Sequence, residues 1–167
     1  EDNNLSNLAA VGVVYLLIIA LNRILRARGH FKDRPEPDLV AMLDIVALGT
    51  VADVVALTGL NRTFVRQGLK VMQKRRNIGI RALLEVSGAE GLPDTYTLGF
   101  LLGPRVNAGG RVGESSLGAQ LLATEDEMEA KRIALTLNIY NTDRQVIEAS
   151  VCQEAMALAA KDVAEGE

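Results

Sequence analysis

Apolar residues recur along this chain at the three- and four-residue spacing of α-helices, and short polar or glycine-rich segments separate the runs. The pattern predicts helices over residues 6–28, 38–48, 62–75, 78–86 and 124–164. Segments 30–37, 87–94 and 103–113 are rich in Gly or Pro and are predicted to be loops or turns. The pattern therefore predicts a mainly helical fold.

The first predicted helix has cations in its last turns and Gly29 just after them, which is a typical helix end. Its apolar run, residues 8–21, is too short to cross a bilayer and lacks the basic leader and cleavage site of a signal peptide. We therefore expect a buried helix and no membrane partner. The side chains expected in the core are Leu8, Val11, Leu16, Ile18, Ile19 and Leu21.

The last predicted helix begins with a capping box, in which Thr124 is the N-cap and Glu127 the N3 residue. At 1.5 Å per residue it spans roughly 60 Å, longer than a small domain is wide, so we expect it to protrude or to pair. Cys152 lies on this helix and is predicted to be a helix-face residue, not a redox centre. Large or apolar residues recur on one face of this helix at alternating steps of four and three, and Arg144 occupies the one position of that series without an apolar side chain. This face is a candidate for self-association. Its apolar and large members are Ile133, Leu137, Tyr140, Ile147, Val151, Ala155 and Leu158.

Composition fits one domain, with 167 residues, 49% of them hydrophobic and 23% charged. A single cysteine excludes an internal disulfide, and no Cys/His cluster offers a zinc site, so a cytoplasmic location is the simplest prediction. The net charge of −3 hides a basic central region. Its cations are Arg62, Arg66, Lys70, Lys74, Arg75, Arg76, Arg81, Arg105 and Arg111.

Two of these basic segments are candidate phosphate sites. On the predicted helix 62–75, cations recur every four residues and form a continuous face, which can attract nucleic acid or can simply be solvated. Segment 103–113 has four glycines and two arginines, a composition that suits anion binding. The alternative is a turn between helices with exposed arginines. The segment matches neither a Walker loop nor a dinucleotide fingerprint.

One carboxylate, Asp53, lies within the apolar run 51–55, beside the predicted Gly49-Thr50 turn. If it is buried, it requires hydrogen bonds, a cation or a metal ion as compensation. The alternative is a capping box, with Thr50 as the N-cap and Asp53 as the N3 residue of a short helix. Local sequence leaves both interpretations open.

Four segments together resemble the RecJ-type single-strand-specific exonucleases of the DHH phosphoesterase superfamily. They are LAAVGVVYLLIIALNR (8–23), DIVALGTVADVVALTGLNRTFVRQGL (44–69) and LGFLLGPRVNAGGRVGESSLGAQLL (98–122), with Asn141 and Arg144 in the last helix. The resemblance implies the second half of an α/β DHH domain over residues 1–123 and an interdomain connecting helix over 124–167. It further implies that Asp53 is a catalytic ligand of a Mn²⁺ or Mg²⁺ pair.

The same resemblance implies that Arg105, Asn107 and Arg111 approach the DNA backbone or stabilise the site, with Arg62 and Arg66 guiding the strand. Gly109 stands where many members carry alanine, and Ala56 where proline is frequent. The expected activity of the parent protein is metal-dependent hydrolysis of single-stranded DNA from its 5′ end, in DNA repair and recombination. Its expected partners are single-stranded DNA and the remainder of the parent chain.

The family's upstream DxD and DHH motifs and its downstream GGH motif do not occur in these 167 residues. The chain therefore resembles a fragment, which we expect to be catalytically inactive by itself, since one carboxylate cannot hold two metal ions. Two alternatives remain open. One is a DHH phosphoesterase acting on oligonucleotides or other small phosphate substrates, and the other is a non-catalytic helical interaction module.

Overall fold

In a computed structural model, which describes residues 5–165, the chain forms seven α-helices and one π-helical turn. No strand occurs in this described range, so the prediction of a mainly helical chain is confirmed. The π-helical turn, Thr97–Leu102, continues directly into α5. The helices are α1 (Ala10–Ala27), α2 (Leu43–Ala52), α3 (Gly59–Met72), α4 (Ile78–Val86), α5 (Gly103–Val112), α6 (Leu117–Ala123) and α7 (Glu127–Glu165).

The main core lies where α7 crosses α4 and α5, because these helices direct their apolar faces toward one another. Leu83, Leu98, Leu102, Leu121 and Leu137 are fully buried there. A smaller cluster joins α1 to α2 and α3. It includes Tyr15 and Phe64, whose rings meet edge to face at 5.5 Å between centroids.

A glycine sets the close approach of α2 and α3. A Cβ atom built on Gly68 would lie 2.1 Å from the carbonyl oxygen of Leu43 and 2.4 Å from Cβ of Ala47. Only a residue without a side chain permits this contact. The pairing of these two helices holds the end of α2, and therefore Asp53, in place.

Helix α2 differs from its prediction at both ends. Residues 39–42 form turns, and the helix then continues through Gly49 and Thr50, where the sequence predicted a turn. Thr50 is fully buried, and its hydroxyl donates to the carbonyl oxygen of Val46 at 2.7 Å, a bond that lets threonine lie inside a helix. The capping-box interpretation is wrong, because Asp53 follows a helix instead of beginning one.

Segment 103–113 was predicted to be a loop, and most of it is helix α5. Pro104 lies in the first turn, where a missing N–H costs nothing. Ala108 and Gly109 are buried against neighbouring elements. Packing by tertiary neighbours therefore outweighs the low helix propensity of the glycines.

Helix α1 is less buried than predicted. Ile19 and Leu21 are exposed, and the side chains that the helix buries are those of Tyr15 and Asn22. With 18 residues and a mean hydropathy of 1.8, it has the length and composition of a membrane span, which the core helix of a soluble protein can also have. Only 17% of it is buried. The apolar run predicts the helix correctly. It does not indicate that the other described elements bury only a small part of the helix surface.

Helix α7 begins later than predicted. Asp126 caps it by accepting a hydrogen bond from the amide of Glu129 at 2.9 Å, and Thr124 instead accepts from the amide of Asp126 at 3.2 Å. With 39 residues the helix is roughly 60 Å long. From residue 145 onward every side chain that the structure describes is exposed.

Candidate nuclease site

Asp53 is the C-cap residue of α2, and its amide donates to the carbonyl oxygen of Gly49 at 3.0 Å. The residue is exposed, so the interpretation of Asp53 as a buried carboxylate does not hold either. A helix C-terminus carries a partial negative charge, so a carboxylate at this position favours binding of a cation. The local geometry thus presents a carboxylate to solvent at a position where a positive ion would be stabilised.

The backbone turns sharply after this carboxylate. Val54 has φ 57°, and its side chain is 88% exposed. A β-branched residue at positive φ is strained, and such strain is concentrated at functional sites. The turn ends α2 and leaves the Asp53 side chain at the rim of a groove.

That groove has a volume of about 340 Å³ and lies between the beginning of α1, the end of α2 and the beginning of α5. Asp53 and Asn107 both line it. These two residues are more than fifty positions apart in sequence, and the fold brings them to one surface. A carboxylate and a side-chain amide there can together bind a cation and hydrogen-bond a phosphate oxygen.

A second cavity of about 160 Å³ adjoins the groove. Ala52, Gly103 and Asn107 line both, so the two cavities share a wall along α5. Arg111 and Arg144 also line the second cavity. Two guanidinium groups, one from α5 and one from α7, therefore lie next to the groove that Asp53 lines.

Arg105 lies elsewhere. Its Nε donates to Oδ1 of Asn138 at 2.8 Å, and its Nη1 donates to the carbonyl oxygen of Leu101 at 2.7 Å. Burial lowers the pKa of this guanidinium from its usual range. These bonds join α5 to α7 and to the π-helical turn, so the guanidinium of Arg105 is already engaged within the protein. Its contact with DNA stays a prediction.

Arg62 and Arg66 are exposed on α3. Neither lines the groove that contains Asp53 or the adjoining cavity. Helix α3 begins and ends three residues earlier than the predicted helix 62–75. Exposed Arg62, Arg66 and Lys70 give it a basic face, whereas Lys74, predicted on the same face, lies in the turn after Met72. Its role in guiding DNA stays a prediction.

The buried carboxylate of the structure is Asp44, nine residues before Asp53 and only 2% exposed. Burial raises its pKa, and a 2.7 Å hydrogen bond from the amide of Ile45 partly opposes that rise. Its burial was not predicted from the sequence, although Leu43, Ile45 and Val46 flank it with the same apolar pattern that marks Asp53. The local pattern marks both carboxylates and does not tell which one is buried.

Across residues 5–165, no three His, Cys, Asp or Glu side chains lie close enough together to hold a metal ion. Asp53 fits the role of one carboxylate ligand, and the described chain offers no complete set. A metal site here therefore needs ligands from beyond the described residues.

The chain is similar to curated proteins named single-stranded-DNA-specific exonuclease RecJ. It is 45% identical to that of Dickeya dadantii over 155 residues, which cover 90% of this chain and 27% of the relative. It is 42% identical to that of Escherichia coli, over 93% of this chain and 28% of the relative. The chain thus spans little more than a quarter of the length of these relatives. No family model matches it.

Solved structures are similar in fold as well. A crystal structure of RecJ from Thermus thermophilus in complex with Mn²⁺ has 34% identity and a TM-score of 0.65, over 72% of this chain and 18% of that one. A structure of exonuclease RecJ bound to manganese has 33% identity and a TM-score of 0.71, over 84% and 34%. A Mg²⁺ complex from Thermus thermophilus is equally similar to the chain, with a TM-score of 0.65.

Fold and sequence together define a helical segment of a DHH-type phosphoesterase domain. Within that class, the chain belongs to the RecJ family.

Proposed function

We propose that this chain is part of a metal-dependent exonuclease that hydrolyses phosphodiesters of single-stranded DNA from the 5′ end. The observation that carries the proposal is that Asp53 and Asn107 line one groove, while Arg111 and Asn107 line the cavity next to it. Support also comes from the similarity to proteins named as single-stranded-DNA-specific exonucleases. A role in DNA repair and recombination in the cytoplasm is part of the same proposal.

The residues of the groove have separate tasks. Asp53 supplies one carboxylate to a divalent ion, and its place at the C-terminus of α2 favours that positive charge. The chemistry that bound divalent ions would supply is a hydroxide nucleophile and stabilisation of charge on the attacking and leaving oxygens. Asn107 orients a phosphate oxygen through its amide, and Arg111 neutralises the charge of the strand.

The exposed cations of α3 attract the DNA before it reaches the groove. Arg62 and Arg66 are exposed and lie outside the groove, so they act through long-range charge and are sensitive to salt. We further propose that the 167-residue chain by itself is inactive, because its described residues offer one carboxylate at the groove where a metal pair needs several ligands.

The test uses the full-length product of the gene and 5′-phosphorylated single strands of graded length, with Mn²⁺ or Mg²⁺. We expect release of nucleotides that EDTA abolishes, with faster turnover of long strands. Asp53→Asn should lower the rate by at least about a hundredfold and weaken Mn²⁺ binding measured by calorimetry. Asp126→Asn is the matched control, since that exposed aspartate caps α7.

Other outcomes would assign other functions. Preference for dinucleotides over long strands would favour a phosphoesterase for small substrates. Metal-dependent hydrolysis by the 167-residue chain alone would refute its proposed inactivity. If the full-length protein does not hydrolyse DNA and the chain forms stable dimers in light scattering, a helical interaction module would replace the nuclease.

A further inference from the structure

The second cavity is lined by an arginine of α7, Arg144, which does not line the groove of Asp53. Arg144 extends from α7 to the cavity that Asn107 and Arg111 line from α5. Its side chain is only 18% exposed, although an arginine on a long surface helix is usually solvated. The fold therefore holds a guanidinium at the second cavity, next to the groove that Asp53 lines.

The hydrogen bonds of Arg144 leave part of this guanidinium unused. Nη1 donates to Glu148 one turn later, and Nη2 donates to Oδ1 of Asn141 at the long distance of 3.4 Å. Nε is buried and has no hydrogen-bond partner among the described residues. A buried donor without a partner costs roughly 1–3 kcal/mol, more for a charged group, so an acceptor from a ligand would be stabilising.

The charge around the cavity fits an anion. Its lining consists of two arginines, one asparagine, and small or apolar residues, with no carboxylate among them. The nearest acidic partner, Glu148, is 56% exposed and lies outside the lining. Two guanidinium groups and one side-chain amide supply the kinds of donor that bind phosphate oxygens.

We propose that Arg144 is a phosphate-binding residue, which with Arg111 and Asn107 forms a site for a phosphate group of the DNA strand beside Asp53. This inference rests on the proposed nuclease function and adds a residue of α7 to it. Helix α7 would then contribute a side chain to substrate binding, in addition to its expected role of connecting two domains.

The first experiment measures binding to single-stranded DNA by fluorescence anisotropy over a series of salt concentrations. It uses the full-length protein carrying Asp53→Asn, so that the strand stays intact. Arg144→Gln should weaken binding about tenfold and reduce the salt slope by roughly 0.7, the value for one phosphate contact on a single strand. Arg144→Lys should keep the slope and recover part of the affinity, because it retains charge but loses the fork.

Two control variants separate binding from structure. Arg132→Gln removes an exposed arginine of the same helix that pairs with Glu129, and it should leave the affinity and slope unchanged. Glu148→Gln breaks the ion pair of Arg144 and keeps the guanidinium. If Glu148→Gln weakens DNA binding as much as Arg144→Gln does, Arg144 acts only through that ion pair and the proposal is wrong.

Strands with and without a 5′-phosphate identify which phosphate is bound. If Arg144→Gln loses affinity only for 5′-phosphorylated strands, Arg144 binds the terminal phosphate. If it loses affinity equally for both kinds of strand, Arg144 binds an internal phosphodiester. Equal affinity of Arg144→Gln and its parent for both strands would overturn the inference.

A second readout does not depend on DNA. Inorganic phosphate should raise the thermal midpoint of the 167-residue chain relative to chloride at equal ionic strength, and Arg144→Gln should abolish the difference. If phosphate stabilises the parent chain and its Arg144→Gln variant equally, Arg144 does not bind phosphate, and that conclusion holds even when the full-length protein is a nuclease. If the phosphate effect is lost in Arg144→Gln but the full-length protein does not hydrolyse DNA, the nuclease proposal fails and the anion site remains.

Discussion

The two halves of α7 have similar apolar spacing and different surroundings. In the first half, Ile133 and Leu137 are at most 1% exposed, because α4 and α5 pack on them. In the second half, Val151 and Leu158 are 59% and 64% exposed. Apolar residues at helical spacing therefore predict a helix, but they do not tell whether a neighbour covers its face.

The division between the halves falls near Arg144. Asn141 is buried, Arg144 is mostly buried, and from residue 145 onward each described side chain is exposed. The buried half is held by many contacts, whereas the exposed half depends on helix propensity and on local ion pairs. We expect the two halves to respond very differently to the same substitution.

The largest expected difference comes from truncating matched leucines. Leu137→Ala should lower the free energy of unfolding by about 2–5 kcal/mol, because it leaves a cavity in a closely packed core. Leu158→Ala should change it by less than roughly 0.5 kcal/mol, because that side chain is already in solvent. Denaturant unfolding of the 167-residue chain measures both. A large loss in Leu158→Ala would mean that the second half is covered in solution, for instance by a second copy.

The next comparison uses glycines in covered and open positions. Gly68→Ala should destabilise the chain by about 1–3 kcal/mol, because its Cβ would clash with the backbone of α2. Gly110→Ala should stabilise it by about 0.5–1 kcal/mol, since no described atom lies within 4 Å of that Cβ and alanine favours a helix. Thermal midpoints of both variants test the prediction. Equal shifts would show that the close approach of α2 and α3 is not a strong constraint.

The smallest change in the free energy of unfolding should come from the carboxylates of Asp44, in α2, and Asp53, at its C-cap. The change at Asp44 depends on pH. The pKa of Asp44 is raised above its ordinary value of 3.8 by burial, so the folded state holds this proton more tightly than the unfolded state does. Stability should therefore fall as the pH rises from 3.8 to the folded pKa, and then stay constant. Asp44→Asn should remove this fall and be more stable than the parent protein at neutral pH.

Exposed Asp53 provides the control for Asp44. Asp53→Asn should leave the free energy of unfolding within roughly 0.5 kcal/mol of the parent, because that side chain is in solvent. Unfolding curves at several pH values test both variants. If Asp44→Asn is less stable than the parent at neutral pH, the ionised carboxylate makes a favourable contact that the burial argument neglects.

Much of the fold was predictable because local rules dominate it. Helix α4 occupies the predicted range, since Asn77 caps it through a 2.8 Å bond to the amide of Ile80 and the apolar residues that follow face the core. The fragment 87–94 is a loop, as its glycines indicate. Prediction failed at α5, where burial beneath α7 stabilises a helix that its own glycines disfavour.

The candidate site residues come from family resemblance more than from local pattern, and their roles stay predictions. Local reasoning about apolar neighbours left open whether Asp53 is a buried carboxylate or part of a capping box, whereas the structure buries Asp44 and exposes Asp53 after a helix end. The resemblance drew attention to Asp53, Asn107 and Arg111, and the fold places Asp53 and Asn107 in one groove and Arg111 in the cavity next to it. The position of Arg144 opposite α5 follows from the packing of α7, which no local pattern contains.

By itself, the sequence determined the helical class, most helix positions, the basic face of α3 and the family, because spacing, caps and motifs are properties of the chain. Only the tertiary structure decided which apolar faces are covered, which carboxylate is buried, and which residues from distant segments share a groove. The physical reason is that burial, and with it the cost of a charge or the gain from an apolar side chain, depends on neighbours distant in sequence.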